Sequence, residues 1–276
     1  NVLYKDALAM LNLLANYNWD RSIYFSSGGT YSQSNLMYTQ NYLEFQGLVS
    51  KLVPIYTAED RQGNQGRVNP NTLYQMVMNY KFGNLKDPKA YFDETCRSNI
   101  LNYRMSCGRA AIALAKAGDK KRANDVLELI NKEIPVSLYP ATPSFNTIIS
   151  AYFYIGKEKE GLNLADTYKK QILEELNYYL SLPPEDQKFV TDDMSKLSSY
   201  YTFVVDGIVN TYLELGQKDK AVNYIAESMK PLDQRLKAFE MLGKNSTKAQ
   251  HASMQNLMYS YGQLLQVLHP LDSVYE

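Results

Sequence analysis

The segment AAIALAKAGD, residues 110–119, is a run of small and apolar residues that ends at a glycine and then turns polar. Such a glycine is typical of a helix C-terminus, because glycine takes the left-handed backbone conformation there without a steric penalty. Four apolar residues follow on one helical face: Ala123, Val126, Leu127 and Ile130. The segment therefore predicts a helix hairpin.

The same pattern returns in IISAYFYIGK, residues 148–157, and in IVNTYLELGQ, residues 208–217. In each of the three copies a small residue stands five positions after the turn glycine: Ala123, Gly161 and Ala221. A small residue at this position lets the second helix approach the first closely. Three copies favour a repeat, and a non-repeating helical bundle is the alternative that periodicity leaves open.

This spacing resembles the tetratricopeptide repeat, in which a glycine ends the first helix, an alanine packs inside the second and a proline closes the unit. The first copy fits best, because Pro135 stands at the closing position. The second copy has Gly161 in place of the alanine, and Pro231 comes early in the third. The fold predicted for residues 89–276 is an α-solenoid of tetratricopeptide-like helix hairpins.

Residues 1–88 predict a small α+β lobe in front of this mainly α region. An amphipathic helix spans about residues 3–14, and residues 22–26 and 48–57 are strand candidates that could pair. Asn69-Pro70 is typical of an N-cap followed by the first helical position. Loops are expected at Gly28-Gly29 and at Gly63 to Gly66.

Prolines divide the second half of the chain. A long helix is predicted from about Glu158 to Leu182, with a break at Pro183-Pro184. Another helix boundary is predicted at Pro231, and the last helix should stop at His269-Pro270.

Composition narrows the function classes. The 276 residues carry 29 Lys+Arg and 29 Asp+Glu, so charge gives no reason to expect a nucleic-acid partner. No apolar run reaches the roughly 18 residues that a membrane span needs. The chain starts at Asn1 without a cleavage signal, and we expect it to be a fragment of a longer protein.

Catalytic and metal-binding chemistry finds little support. The only two histidines, His251 and His269, have no ligand partner at a recognised spacing, so no metal or cofactor is expected. Three carboxylate pairs could supply the acid and base of a carbohydrate-active enzyme: Asp93-Glu94, Glu174-Glu175 and Asp192-Asp193. Adjacent residues on a helix point about 100° apart, so a solvated helix face is the simpler interpretation of each pair.

Tyrosine is the one compositional excess, with 24 Tyr against 9 Phe and one Trp. Tyrosine rings suit a groove that binds extended peptides or sugars, and they also suit ordinary helix packing. Five tyrosines on the first helices of the repeats are the candidate binding residues: Tyr152, Tyr154, Tyr200, Tyr201 and Tyr212.

The first hundred residues carry an ordered series of short motifs. They are Trp19 to Phe25, Tyr42-Leu43-Glu44, Gly47-Leu48-Val49, Leu52-Val53-Pro54, Phe82-Gly83-Asn84, Tyr91 to Glu94 and Asn102-Tyr103-Arg104. Together they resemble the soluble C-terminal region of a large Bacteroidetes family of polytopic membrane proteins. That family has a glycosyltransferase-C-like transmembrane half and is similar to eukaryotic protein O-mannosyltransferases. Ser22 stands where the family usually has proline.

The resemblance implies that the catalytic acidic residue belongs to the transmembrane half, outside this chain. The chain would then be a non-catalytic, periplasmic domain that binds a protein or glycoprotein acceptor, or the transmembrane half of its own parent. The alternative from another class is a stand-alone carbohydrate-active enzyme with helix-borne carboxylates.

Overall fold

The computed structural model describes residues 5–26, 39–59, 66–139, 142–242, 248–269 and 271. These residues are mainly helical, with one small sheet. The helices are α1 (Lys5–Ala15), α2 (Pro70–Met78), α3 (Glu94–Lys116), α4 (Lys120–Glu133), α5 (Phe145–Ile155), α6 (Glu158–Ser181), α7 (Pro184–Gln187), α8 (Thr191–Glu214), α9 (Lys218–Leu242) and α10 (Lys248–Leu268). The strands are β1 (Tyr24–Ser26), β2 (Leu43–Phe45) and β3 (Val49–Leu52).

The chain forms two compact units, residues 1–139 and 140–276. The predicted boundary at residue 88 falls between α2 and α3, and as a domain boundary it stays a prediction. The predicted loop at Gly28-Gly29 and most of the loop at Gly63 to Gly66 lie outside the described residues.

The sheet of the first unit has β3 at its centre, antiparallel to both β1 and β2. The two predicted strands do pair, with Tyr24 opposite Lys51, whereas β2 was not predicted. Leu43 of β2 and Leu52 of β3 face each other and are buried. Four partly buried side chains pack against them: Leu14, Tyr17, Ile23 and Phe25.

The starts of α2 and α3 follow from capping side chains. The Asn69 carboxamide accepts hydrogen bonds from the backbone amides of Asn71 and Thr72, so the predicted N-cap is confirmed. The Asp93 carboxylate accepts from the amide of Cys96 at 2.7 Å, and α3 therefore starts at Glu94. Helices α2, α3 and α4 pack against one another.

The three turn glycines behave as the sequence predicts. Gly118, Gly156 and Gly216 have φ values of +87°, +89° and +71°. In each turn the residue after the glycine donates its amide proton to the carbonyl five positions earlier, at 2.8 to 2.9 Å, in the pairs Asp119–Leu114, Lys157–Tyr152 and Gln217–Tyr212. This is the Schellman arrangement, and it satisfies carbonyls that the helix end leaves without partners.

The small residues after these turns allow close helix contact. Ala123 and Ala221 are completely buried. A Cβ atom added to Gly161 would lie 2.7 Å from Cε2 of Phe153, well inside van der Waals contact. Helix α6 therefore packs against α5 at a distance that only glycine permits.

In the second unit, α8 contacts α5, α6, α9 and α10. The break at Pro183-Pro184 is confirmed, because α6 ends at Ser181 and α8 starts at Thr191. The helix boundary predicted at Pro231 is wrong, since α9 continues through this proline. Met229 and Leu232 are buried on either side of it, and burial of apolar side chains offsets the lost backbone hydrogen bond.

Candidate functional site

The five predicted tyrosines lie on two neighbouring helices of the second unit, Tyr152 and Tyr154 on α5 and the other three on α8. Tyr201 is buried, and its hydroxyl donates to the carbonyl of Ser228 at 2.8 Å. Burial raises the pKa of Tyr201 to about 12. Its hydroxyl therefore stays protonated and joins α8 to α9.

Tyr212 is buried and belongs to a polar cluster between helices. Its hydroxyl donates to Oε1 of Glu158 at 2.8 Å, and its ring meets that of Phe153 edge to face at a centroid distance of 5.0 Å. Lys220 completes the cluster, with Nζ 2.7 Å from Oε2 of Glu158. Hydrogen bonds from Lys220 and Tyr212 lower the pKa of Glu158. The cluster joins α6, α8 and α9.

Tyr152 and Tyr154 are partly buried on α5, and the Tyr154 hydroxyl donates to the carboxylate of Glu214 on α8. Tyr200 differs from the other predicted tyrosines because it is partly buried and lines an open cleft between α6 and α8. The role of all five tyrosines in binding stays a prediction.

The cleft at Tyr200, which we name the tyrosine cleft, lies between α6 and α8 and has a volume of about 290 Å³. Its lining residues are Thr142, Tyr168, Gln171, Ile172, Glu175, Tyr179, Asp193, Lys196, Leu197 and Tyr200. Ligand pockets usually have volumes of about 300 to 1,000 Å³, so this cleft suits one small unit, such as a sugar ring or an amino-acid side chain.

One face of each helix builds the tyrosine cleft. On α6, Tyr168, Glu175 and Tyr179 stand at helical spacings of seven and four residues. On α8, Asp193 and Tyr200 are separated by two turns. Tyr168 and Tyr179 were not predicted as site residues, although their spacing along α6 is a signal that the sequence contains.

Tyr168 has an unusual environment at the base of the cleft. Its side chain is 1% exposed, and its hydroxyl oxygen has no hydrogen-bond partner among the described residues. Burial raises the pKa of Tyr168, so the hydroxyl remains a proton donor. A buried hydroxyl without a partner is costly, and a ligand that accepts its hydrogen bond would remove that cost.

Charged groups surround the opening of the cleft. The Tyr179 hydroxyl donates to Oε1 of Glu175 at 2.9 Å, and burial together with this carboxylate raises the pKa of Tyr179 to about 12. The Nζ atom of Lys196 lies 3.4 Å from Oδ1 of Asp193. The cleft thus combines three tyrosines with two carboxylates, an ammonium group and an amide. Such a set can pack against an apolar face and hydrogen-bond hydroxyl or amide groups.

A second cleft, of about 480 Å³, lies between α6 and α9, and the buried Tyr201 is one of its lining residues. Lys169 Nζ stands 4.7 Å from the ring centroid of Tyr224 and 3.0 Å from Oδ1 of Asp166, so this ammonium group already has partners. We favour the tyrosine cleft as the binding site because the predicted tyrosine that lines it, Tyr200, is only partly buried, whereas Tyr201 at the second cleft is 2% exposed.

Metal chemistry finds no support in the part of the chain that the structure describes, where no group of three or more His, Cys, Asp or Glu side chains could hold an ion. Cys96 and Cys107 are free thiols, one exposed and one buried. Among the described helices, none is long and apolar enough to cross a bilayer.

Fold and site together define a mainly helical protein with a small sheet and a tyrosine-lined cleft. Its first part is similar to a domain of a membrane-protein family: residues 1–72 match the family model described as TMEM260-associated domain 2. No curated protein and no solved structure matches the chain. The match is consistent with a domain associated with a membrane protein. The tetratricopeptide, Bacteroidetes and glycosyltransferase resemblances stay predictions.

Proposed function

We propose that this chain is a non-catalytic domain of a membrane glycosyltransferase-like protein and binds a protein or glycoprotein acceptor in the tyrosine cleft. The observation that carries the proposal is the buried hydroxyl of Tyr168, which has no protein partner among the described residues and lies in a cleft with Tyr179 and Tyr200. A folded protein tolerates such a group where a ligand uses it.

The cleft chemistry favours a ligand with both apolar and hydroxyl or amide groups. The exposed parts of Tyr179 and Tyr200 supply ring surface, and Glu175 and Asp193 accept hydrogen bonds. A glycopeptide or a threonine-containing peptide carries both kinds of group. The site is small, as expected for recognition of one sugar or one side chain rather than a long segment.

The architecture supports a scaffold. We propose that the three hairpins α3/α4, α5/α6 and α8/α9 are tetratricopeptide-like units of a solenoid. Their support is the recurring turn at Gly118, Gly156 and Gly216 and the contact of each first helix with its second. Repeat proteins use such stacks to present side chains from successive helices on one surface.

The membrane context rests on the similarity of residues 1–72 to TMEM260-associated domain 2. From the resemblance to the Bacteroidetes membrane-protein family we further propose a periplasmic location for the domain, next to the membrane half of the full-length protein. That membrane half is then the second candidate partner, and it would compete with or present the acceptor.

The binding test uses titration calorimetry of the 276-residue protein with a threonine-containing peptide and its O-mannosylated form. Tyr200→Ala should weaken binding about thirtyfold, the equivalent of about 2 kcal/mol, because a central aromatic anchor is lost. Tyr178→Ala is the matched control, since Tyr178 is a 61% exposed ring on α6 that does not line the cleft.

Tyr168→Phe isolates the hydroxyl at the base of the cleft. It should weaken binding without lowering stability, because the hydroxyl has no described partner to lose. The proposal fails if neither peptide binds the unsubstituted 276-residue protein, or if Tyr178→Ala weakens binding as much as Tyr200→Ala does.

One observation favours the enzymatic alternative: Glu175 from α6 and Asp193 from α8 line the same cleft. A glycosidase needs two carboxyl groups that face one bond. Glu175 and Asp193 come from two different adjacent pairs in the sequence, and the fold brings one member of each pair to this cleft. The alternative would be established if the unsubstituted 276-residue protein released reducing sugar from oligosaccharides and both Glu175→Gln and Asp193→Asn lost this activity. Binding without turnover would establish the binding domain.

A further inference from the structure

A separate cleft lies between α8 and α10 and has a volume of about 590 Å³. It is lined by one face of each helix: Ser199, Thr202, Phe203, Asp206, Tyr259, Gln263, Leu264, Gln266 and Val267. Asp206 is the only one of these side chains that is charged at neutral pH. We name this site the aspartate cleft.

Asp206 is partly buried in the middle of α8, far from either end of the helix. Its Oδ2 accepts a hydrogen bond of 3.2 Å from the Asn210 carboxamide one turn later. Among the described residues it forms no ion pair. Burial raises the pKa of Asp206, and the hydrogen bond from Asn210 reverses only part of this effect. The carboxylate is therefore held in a site that stabilises its charge poorly.

Two aromatic rings accompany this carboxylate. Phe203 is 43% exposed and stands one turn before Asp206 on the same face of α8, and Tyr259 of α10 is 67% exposed. Large exposed rings next to a partly buried carboxylate are the components of a site for an organic cation, since each ring face attracts positive charge. Gln263 and Gln266 add amide oxygens that accept hydrogen bonds from an ammonium group.

We propose that the aspartate cleft binds an alkylammonium group, with Asp206 as the counter-ion and Phe203 and Tyr259 against the aliphatic chain. A neutral sugar could stack on the same rings, but it would leave the carboxylate charge uncompensated. An ammonium group compensates it, and it also uses both rings and the glutamine oxygens. The proposal is independent of the tyrosine cleft, which lies between α6 and α8 and shares no lining residue with this site.

Alkylammonium groups reach a protein either as lysine side chains of a peptide or as free polyamines. The test titrates the 276-residue protein with Nα-acetyl-lysine methylamide and with putrescine, and follows amide NMR shifts. Tighter binding of the lysine derivative points to a peptide partner, and tighter binding of putrescine points to a polyamine. Either result supports the site, provided that Nα-acetyl-norleucine methylamide, which lacks the ammonium group, does not bind.

The variants identify the counter-ion. Asp206→Asn should weaken binding about tenfold or more, since it removes a charge-assisted contact. Asp192→Asn, at an exposed carboxylate in the first turn of the same helix, should leave binding unchanged. Tyr259→Leu alters an exposed ring, does not threaten the fold, and should weaken binding by a smaller factor. The inference is overturned if neither amine binds, or if the Asp206→Asn and Tyr259→Leu variants both bind the amine as tightly as the unsubstituted protein does.

Discussion

The two units of this chain each bury a large polar side chain, and these two side chains differ in their partners. In the first unit, Arg104 is 1% exposed, and its guanidinium donates to the carbonyls of Ile134 at 3.3 Å and of Tyr139 at 2.6 Å. In the second unit, the buried hydroxyl of Tyr168 has no partner among the described residues. Arg104 therefore stabilises the first unit, whereas the Tyr168 hydroxyl is available to a ligand.

Arg104 belongs to one of the motifs that carry the resemblance to membrane proteins, and the structure explains why that position needs an arginine. The end of α4 and the segment after it leave carbonyls that point inward, where water cannot reach them. Burial lowers the pKa of Arg104 to about 10, so the side chain keeps its charge at neutral pH. The negative end of the α4 dipole adds to the stabilisation.

Arg104→Met has the largest expected effect. It should lower the free energy of unfolding of the first unit by about 3 kcal/mol, because two buried carbonyls lose their donor. Amide hydrogen exchange near residues 130–139 measures this locally. Arg97→Met, at an exposed arginine on the same helix, should change it by less than about 0.5 kcal/mol. Equal effects of the two variants would show that Arg104 does not stabilise this unit.

Alanine substitutions at two helical glycines distinguish the effect of close helix packing on stability from the effect of helix propensity. Gly161→Ala should destabilise the second unit by about 1 to 3 kcal/mol, because its new methyl group meets Phe153. Gly262→Ala, with no atom of the described residues within 4 Å of the added Cβ, should stabilise it by about 1 kcal/mol. Thermal unfolding followed by circular dichroism measures both. Stabilisation by both substitutions would contradict the close approach of α5 and α6.

Two Tyr→Phe substitutions test the comparison inside the second unit. Tyr212→Phe should cost about 1 kcal/mol, because it removes the hydrogen bond to Glu158. Tyr168→Phe should cost nothing or stabilise slightly, since the hydroxyl it removes has no described partner. Urea unfolding provides both values. A larger loss for Tyr168→Phe would mean that this hydroxyl has a structural role after all.

The local structure of the hairpins was predictable because its causes are local. A glycine at the end of an apolar run and a small residue five positions later fix the turn and the close packing, and both are visible in Gly118 and Ala123. Strand β2 was missed because Leu43–Phe45 contains no β-branched residue, whereas the run that holds the equally short β1 contains Ile23 and ends at Gly28-Gly29. The boundary at Pro231 was wrong because packing on either side of the proline, which depends on distant helices, decides whether α9 continues.

The clefts depend on contacts that no local pattern reports. Tyr200 and Tyr201 were both predicted as binding residues from their place near a repeat. Tyr200 lines the tyrosine cleft, whereas Tyr201 beside it turns toward α9 and is buried. Which of two adjacent tyrosines faces a cleft depends on the rotation of α8 against α6. Tyr168 and Asp206 were missed for the same reason, since their importance comes from burial and not from a motif.

The smallest expected effect concerns Asp206 and the pH dependence of stability. Because burial raises its pKa in the folded state, the folded protein binds this proton more tightly than the unfolded chain does. The contribution of Asp206 to stability therefore falls as the pH rises from the unfolded pKa of about 4 through the raised folded pKa. Asp206→Asn should remove this loss and slightly raise the thermal midpoint at pH 7, whereas Asp192→Asn should not. If the substitution instead lowers the midpoint at pH 7, Asp206 is already paired within the protein, and the aspartate cleft has no charge left for an ammonium ligand.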